Sequence, residues 1–288
     1  MNTLKTTFLL TLMTVLLLAA GAAFGGRSGM MVMLLLSIGM NFFSYWYSDK
    51  LVLKMYGARE VTPETEPGLV RMVANLAKKG QLPMPKVYIM DSDVPNAFAT
   101  GRDPEHAAVA VTTGIMNALN AEELEGVLAH ELSHVKHRDT LISTIVACMA
   151  GMITMIGDMI RWGAIFGMGR NDEEDNGGGM IGFVAMAILA PLAAMLIQMG
   201  ISRSREFSAD EAGGNMCGNP LALASALTKI EQYSRFRAMP DATPATAHLF
   251  IINPLAGSGE WFMTLFSTHP ATSARVAKLQ EQAQRMRR

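Results

Sequence analysis

Two histidines separated by three residues, with a glutamate directly after the first, stand at His130-Glu131-Leu132-Ser133-His134. Residues four apart share one face of an α-helix, so both imidazoles can reach a single metal ion. Glu131 is turned by about 100° from His130, which sets its carboxylate beside such an ion rather than among its ligands. Zinc held this way lowers the pKa of its water to about 7, and a neighbouring carboxylate can take the proton as the hydroxide attacks a carbonyl. The pattern is one for hydrolysis. It would arise by accident in a chain of this length about 1% of the time, so its surroundings matter. Ser133 is small and leaves room, and Leu124, Val127, Leu128, Leu132 and Val135 recur at helical spacing.

A catalytic zinc takes three protein ligands and keeps one position open. His137 is nearest, but three residues after His134 on the same helix it would crowd the ion. The extended metzincin spacing is absent, because position 137 is His rather than Gly and position 140 is Thr rather than His. Farther along, Glu206-Phe207-Ser208-Ala209-Asp210 places two carboxylates four apart on one face. Glu206 can ligate the metal while Asp210, one turn on, orients a ligand imidazole. Taken alone, these residues also read as a charged helix start after an apolar stretch.

The helix that carries the first motif is marked by Asn120 as N-cap, with Glu123 completing a capping box. Before it, residues 85–90 and 107–112 read as strands bounded by breakers. Between them Asn96, Ala97, Phe98 and Ala99, running on to Thr100, suit an edge strand that pairs with an extended substrate through its main chain. A plain connecting hairpin is the competing reading. Near the C-terminus, Pro270 suits a helix N1 position, and Ala271, Ala274, Val276 and Leu279 give that helix an apolar stripe.

These elements are interrupted by apolar chain. Of 288 residues only 17% are charged, and mean hydropathy is +0.23. Residues 6–26, 28–48, 140–157 and 176–202 contain no Asp, Glu, Lys or Arg. Outside them the charge density is that of ordinary globular domains, so a soluble domain is interleaved with membrane segments. The expected organisation is a transmembrane hairpin over 1–48, the first part of a catalytic domain over 49–139, a second hairpin over 140–202 and the second catalytic part over 203–288. A cleaved signal peptide is the alternative reading of the first apolar run, but a second run follows after Arg27 alone. Lys50, Lys54, Lys136, Arg138, Arg203 and Arg205 flank the spans on one side, the positive-inside signature of a cytoplasmic face. A helix continuous from His134 to Thr140 would put the metal about 9 Å from the hydrocarbon boundary, a distance that a break near Asp139 would void. With only Cys148 and Cys217, no disulfide is expected, and the net charge of −1 without a basic stripe excludes nucleic acid as a natural partner. His106 and His248 read as surface residues, and the 24 methionines as flexible packing.

The chain resembles the membrane-integrated gluzincin peptidases, the family of the HtpX-like proteases and the CAAX prenyl endopeptidases. The resemblance is carried by an apolar N-terminal hairpin, PNAFATG at 95–101, HELSH at 130–134, a second apolar hairpin, EFSAD at 206–210 and STHPATSAR at 267–275. Length and span pattern are those of the HtpX-like members. It implies one zinc per chain held by His130, His134 and Glu206, with Glu131 as general base and Asp210 behind a ligand. It also implies a place for His269 near the site, where the imidazole could donate to an oxyanion, with a surface N-cap as the alternative. Arg275 would pair with an acidic group there, Asp210 being the candidate. The expected fold is a mostly α membrane protein with a small β-sheet, four transmembrane helices and a zincin-like cytoplasmic catalytic domain. The implied activity is endoproteolysis of membrane or unfolded polypeptides in a bacterial inner membrane, with quality control under stress. Two rivals are a metal-binding scaffold without catalysis, which would have no use for Glu131, and a CAAX-type enzyme, which would need more spans.

Overall fold

The computed structural model describes residues 2–143, 145, 203–236 and 270–287. The first element, α1 (Asn2–Met55), is two helices joined at Gly26, whose φ of 55° and ψ of −140° lie outside the helical region. Glycine accepts that backbone without a Cβ clash. The chain doubles back there: Asn41 Nδ2 donates to Thr14 Oγ1 at 2.9 Å and to Leu10 O at 3.4 Å across the two arms. Of the described helices, only Gly26–Tyr47 is long and apolar enough to cross a membrane by itself, and the arm before the turn holds a shorter apolar helix, Thr6–Ala19. The second expected hairpin, 140–202, lies outside the described residues except at its first few positions.

After Gly26 the helix does not break until Met55, and its last turns seat on a four-stranded sheet. The strands are β1 (Arg59–Val61), β2 (Lys86–Met90), β3 (Ala97–Thr100) and β4 (Ala108–Thr112), in the order β1-β2-β4-β3. Pairing is antiparallel at both outer contacts and parallel between β2 and β4. Successive strand side chains alternate between faces. Val87, Ile89, Ala97, Ala99, Val109 and Val111 point into the main core. Met90, Phe98, Ala108 and Ala110 point the other way, against Val52 and Leu53 of α1. Because both faces are covered, β4 is buried along its whole length, which explains its run of small and β-branched residues.

The main core is filled by α2 (Pro67–Gly80), α4 (Ala121–Lys136), α5 (Arg203–Cys217), α6 (Pro220–Phe236) and α7 (Thr272–Met286), with the short α3 (Thr113–Ala118) leading into α4. The α4 start is as expected. Asn120 accepts from Glu123 N and the Glu123 carboxylate accepts from Asn120 N, both at 2.9 Å. Glu123 does more than cap: it is buried and also receives Ser225 Oγ and Lys229 Nζ of α6, each at 2.7 Å.

Three expectations change. Helix α4 ends at Lys136, and Arg138 takes a left-handed φ of 57°. The axis that would have carried His134 straight to Thr140 is therefore broken, and the 9 Å estimate lapses. At α7, Pro270 precedes the helix and Ala271 is its N-cap. Its buried face is Thr272, Arg275, Leu279, Gln282 and Ala283; of the expected stripe Leu279 is buried and Val276 packs on the core, whereas Ala274 is exposed. Polar side chains point inward there because α7 faces acidic groups and main-chain carbonyls of α5, such as Glu211 O, which accepts from Gln282 Nε2 at 2.8 Å. The third is β1, which the sequence did not announce.

Burial works against the Glu123 charge, but Lys229, Ser225 and the Asn120 N–H hold the carboxyl below its ordinary value. A depressed acid stabilises the fold above its unfolded pKa and loses that contribution as pH falls through the folded one. Glu123→Gln is therefore expected to cost about 1–2 kcal/mol at pH 7. In thermal unfolding, the gap from the wild-type chain should close as the pH falls below about 4.

Candidate metal centre

Helices α4 and α5 lie side by side, and the face of α5 that meets α4 is read at positions 206, 210 and 213. Gly213 makes the approach possible. A Cβ built there would lie 2.9 Å from the backbone nitrogen of His130 and 3.0 Å from its Cα. Two turns earlier on the same face, Glu206 is thereby brought to the two imidazoles of α4.

The three side chains converge. His130 Nε2 and His134 Nε2 are 3.2 Å apart, and Glu206 places Oε2 3.7 Å from the first and Oε1 3.5 Å from the second. Zinc bonds of about 2.0–2.1 Å at tetrahedral angles imply ligand-to-ligand edges of about 3.3 Å. The observed triangle is close to one face of such a tetrahedron. Its donor set of two nitrogens and one carboxylate is also that of a catalytic zinc site, so the residues fit the ion. His130 and Glu206 are buried, whereas one side of His134 remains open.

Each ring is held from behind. His130 Nδ1 lies 3.0 Å from Asp210 Oδ1. Asp210 is in turn gripped by Arg275 in a two-point pair, Nε to Oδ2 at 2.8 Å and Nη2 to Oδ1 at 2.6 Å. Arg275 is 1% exposed and also lies 3.8 Å from Glu206 Oε2. Burial alone would raise the Asp210 carboxyl, but Arg275 and His130 bring it down to about 2. Burial likewise opposes the Arg275 charge, and Asp210, Glu206 and Glu131 more than offset it, so its pKa rises. The ring of His134 meets Asp139, with Nδ1 and Oδ2 3.4 Å apart. Burial would lower that imidazole, yet Asp139, Glu206 and Glu131 raise it to about 9; metal uptake therefore has to displace a proton.

Glu131 stands beside the triangle, not in it. Its Oε2 accepts the Ala99 N–H of β3 at 3.0 Å. Burial pushes its carboxyl above the usual range, with Glu206 adding to the rise, against the pull of His130, His134 and the Ala99 N–H. Strand β3 is the outer strand of the sheet among the described residues. Thr112 N donates to Asn96 O at 2.9 Å. The alternation of an antiparallel ladder then turns the main-chain groups of Ala97 and Ala99 away from β4, and of these the Ala99 N–H meets Glu131. Asn96, Ala97, Phe98 and Ala99 are buried, and the Phe98 ring meets Tyr56, just past α1, with centroids 5.7 Å apart.

The structure thus brings His130, Glu131, His134, Glu206, Asp210, Arg275 and the 96–99 segment into one neighbourhood. His269 and His248 lie outside the described residues. His137 is the exposed C-cap of α4 and is not part of the triangle, and His106 sits at the surface with Nδ1 2.6 Å from Asp103 Oδ1. Sequence reasoning overlooked three contributors: the Ala99 N–H, Asp139 and Gly213. Only Gly213 left a trace, as the third position of the 206/210 face.

Gly213→Ala tests how the helices are joined. It should cost about 1–3 kcal/mol by overpacking and lower bound metal per chain by moving Glu206 off the imidazoles. Thermal unfolding and metal analysis of the purified variant check both, and unchanged metal content would show that the close approach is not what sets the site.

The profile of Peptidase family M48 matches residues 63–283. A protein named "Protease HtpX homolog" from Desulforapulum autotrophicum is 54% identical over 278 residues, covering 96% of this chain and 89% of its own. Two others of that name are 54% identical in Ralstonia pickettii, covering 98% of this chain and 97% of that one, and 53% identical in Thermodesulfovibrio yellowstonii, covering 99% and 100%. The crystal structure of S. mikatae Ste24p has a similar fold, with TM-score 0.50 and 16% identity, covering 96% of this chain but 65% of that longer one. A family match that spans both ligand helices, joined to relatives more than half identical over almost the whole length, makes this chain a metalloendopeptidase belonging to peptidase family M48.

Proposed function

We propose that the chain is a zinc-dependent endopeptidase of a bacterial inner membrane, cutting membrane or unfolded polypeptides at the cytoplasmic face as part of quality control under stress. The observation that carries the chemistry is the convergence of His130 Nε2, His134 Nε2 and Glu206 on one buried point with the Glu131 carboxylate beside it. Zinc there supplies the Lewis acidity that activates a water and polarises the scissile carbonyl. Glu131, raised by burial, takes the water proton and passes it to the leaving amine. Asp210, held by Arg275, keeps the His130 ring turned so that Nε2 faces the ligand triangle.

The substrate is held, in this reading, along β3. Ala97 and the carbonyl of Ala99 offer main-chain groups on the outer side of that strand, the Ala99 N–H being held by Glu131, and an extended polypeptide pairing there needs no particular side chain. This suits unfolded segments of varied sequence. His269 is assigned the oxyanion.

The membrane setting is supported by α1. From Tyr47, where the apolar span ends, to Met55 the helix rises about 12 Å. Within that distance Val52 and Leu53 pack on the sheet beside Phe98 of the substrate strand, and Arg102, next to β3, stacks over the Trp46 ring at 4.9 Å. The site is thus tethered within a few turns of the span, and the basic residues around it favour the cytoplasmic side. Four spans, with 140–202 as the second hairpin, complete the proposed topology.

Glu131→Gln is expected to keep zinc bound while lowering turnover of a casein-like or membrane substrate in detergent by about 10² or more. Wild-type turnover in that variant would refute the mechanism. For the topology, Lys136→Cys, Asp172→Cys and Pro240→Cys are introduced singly in a chain lacking Cys148 and Cys217, then exposed to an impermeant thiol reagent on intact cells. Only the 172 variant should label, and labelling at 136 or 240 would reverse the orientation.

A further inference from the structure

The two ligand imidazoles are supported from behind in parallel ways, but only one support was visible in the sequence. His130 Nδ1 meets Asp210, which meets Arg275. His134 Nδ1 lies 3.4 Å from Asp139 Oδ2, and Asp139 Oδ1 lies 3.8 Å from Arg205 Nη1. Asp139 is 5% exposed. It reaches His134 because the left-handed Arg138 folds the chain back, a reversal locked by Asp139 N donating to His134 O at 2.9 Å. A ligand histidine that gives Nε2 to a metal must carry its proton on Nδ1, and a ring N–H turned inward needs an acceptor.

We infer that Asp139 is a positioning residue for the metal centre: it accepts the Nδ1 proton of His134, and its pairing with Arg205 ties that ligand's orientation to the two ends of the 140–202 segment. This rests on the zinc reading above and extends it. Asp139 is the last charged residue before the apolar stretch that opens at Thr140, and Arg205 stands three residues after the stretch that closes at Ser202. The same pair joins the end of α4 to the start of α5, so one contact bridges both ligand helices at the point where the intervening segment leaves and returns. Moving those two ends apart would withdraw the acceptor from His134 without touching any ligand.

A capping role is the competing explanation, because Asp139 O accepts Ser143 N at 3.3 Å where the next helix begins. The variants separate the two. Serine caps a helix about as well as aspartate but is too short to reach the His134 ring, whereas asparagine keeps an oxygen acceptor at the aspartate position. The full-length chain is purified in detergent, stripped with chelator and titrated with zinc against a chromophoric competitor, with thermal unfolding run alongside. Asp139→Ser should lose about 10–100-fold in zinc affinity while the metal-free chain melts near the wild-type temperature, and Asp139→Asn should recover most of that loss. Equal affinity in Asp139→Ser and the wild-type chain, or equal loss in the Ser and Asn variants, would overturn the inference. A wild-type chain that binds no zinc would instead overturn the proposed function.

Discussion

A guanidinium removed from water is the constraint around which this molecule is arranged. Arg275 is buried on α7 and has to be matched by anions wherever it sits. Asp210 supplies a two-point partner and Glu206 a second negative charge. Those two carboxylates are the same ones that face the imidazoles of α4. One buried cation therefore sets the spacing of α5 from α7, fixes the carboxylate behind His130 and offsets the mutual repulsion of Asp210, Glu206 and Glu131. With the neighbouring imidazoles, it lets three acidic side chains share so small a volume.

The rest of the helical layer serves the same arrangement. Glu123 anchors the start of α4 to α6 through Ser225 and Lys229, Gly213 brings α5 against its middle, and the reversal at Arg138 closes its end. The motif helix is thus fixed at three heights. This is what a preorganised site requires, since rings free to rotate would spend binding energy on ordering themselves when the metal arrives.

Much of this was legible in the residues. Local rules wrote the HELSH spacing, the 206/210 face, the Asn120–Glu123 box and the strands at 86–90 and 108–112, because helical and strand periods place side chains without reference to the rest of the chain. What local rules could not show depends on contacts between distant segments. The inward turn of Arg275 contradicts its own helix's apolar stripe, and only the acids on α5 explain it. The Ala99 N–H has no side-chain signature at all. The break at Arg138 is carried by a residue that ordinarily avoids the left-handed region, and β1 is three residues whose strand character comes from its partner Val87–Ile89. Asp139 is the last charged residue before an apolar run, and its contact with His134 depends on that unpredicted reversal.

The unbroken course of α1 from Gly26 to Met55 has a mechanical meaning. A helix is stiff along its axis and has no hinge where its backbone stays regular, so its apolar half and its sheet-bound half move as one rod. A span longer than its bilayer is thick adjusts by tilting. Here a tilt is not absorbed between Tyr47 and Val52; it is carried through Phe98 into the strand whose Ala99 N–H meets the Glu131 carboxylate. In the membrane setting proposed above, a bilayer thinner than this span would therefore be felt at the strand beside the metal centre.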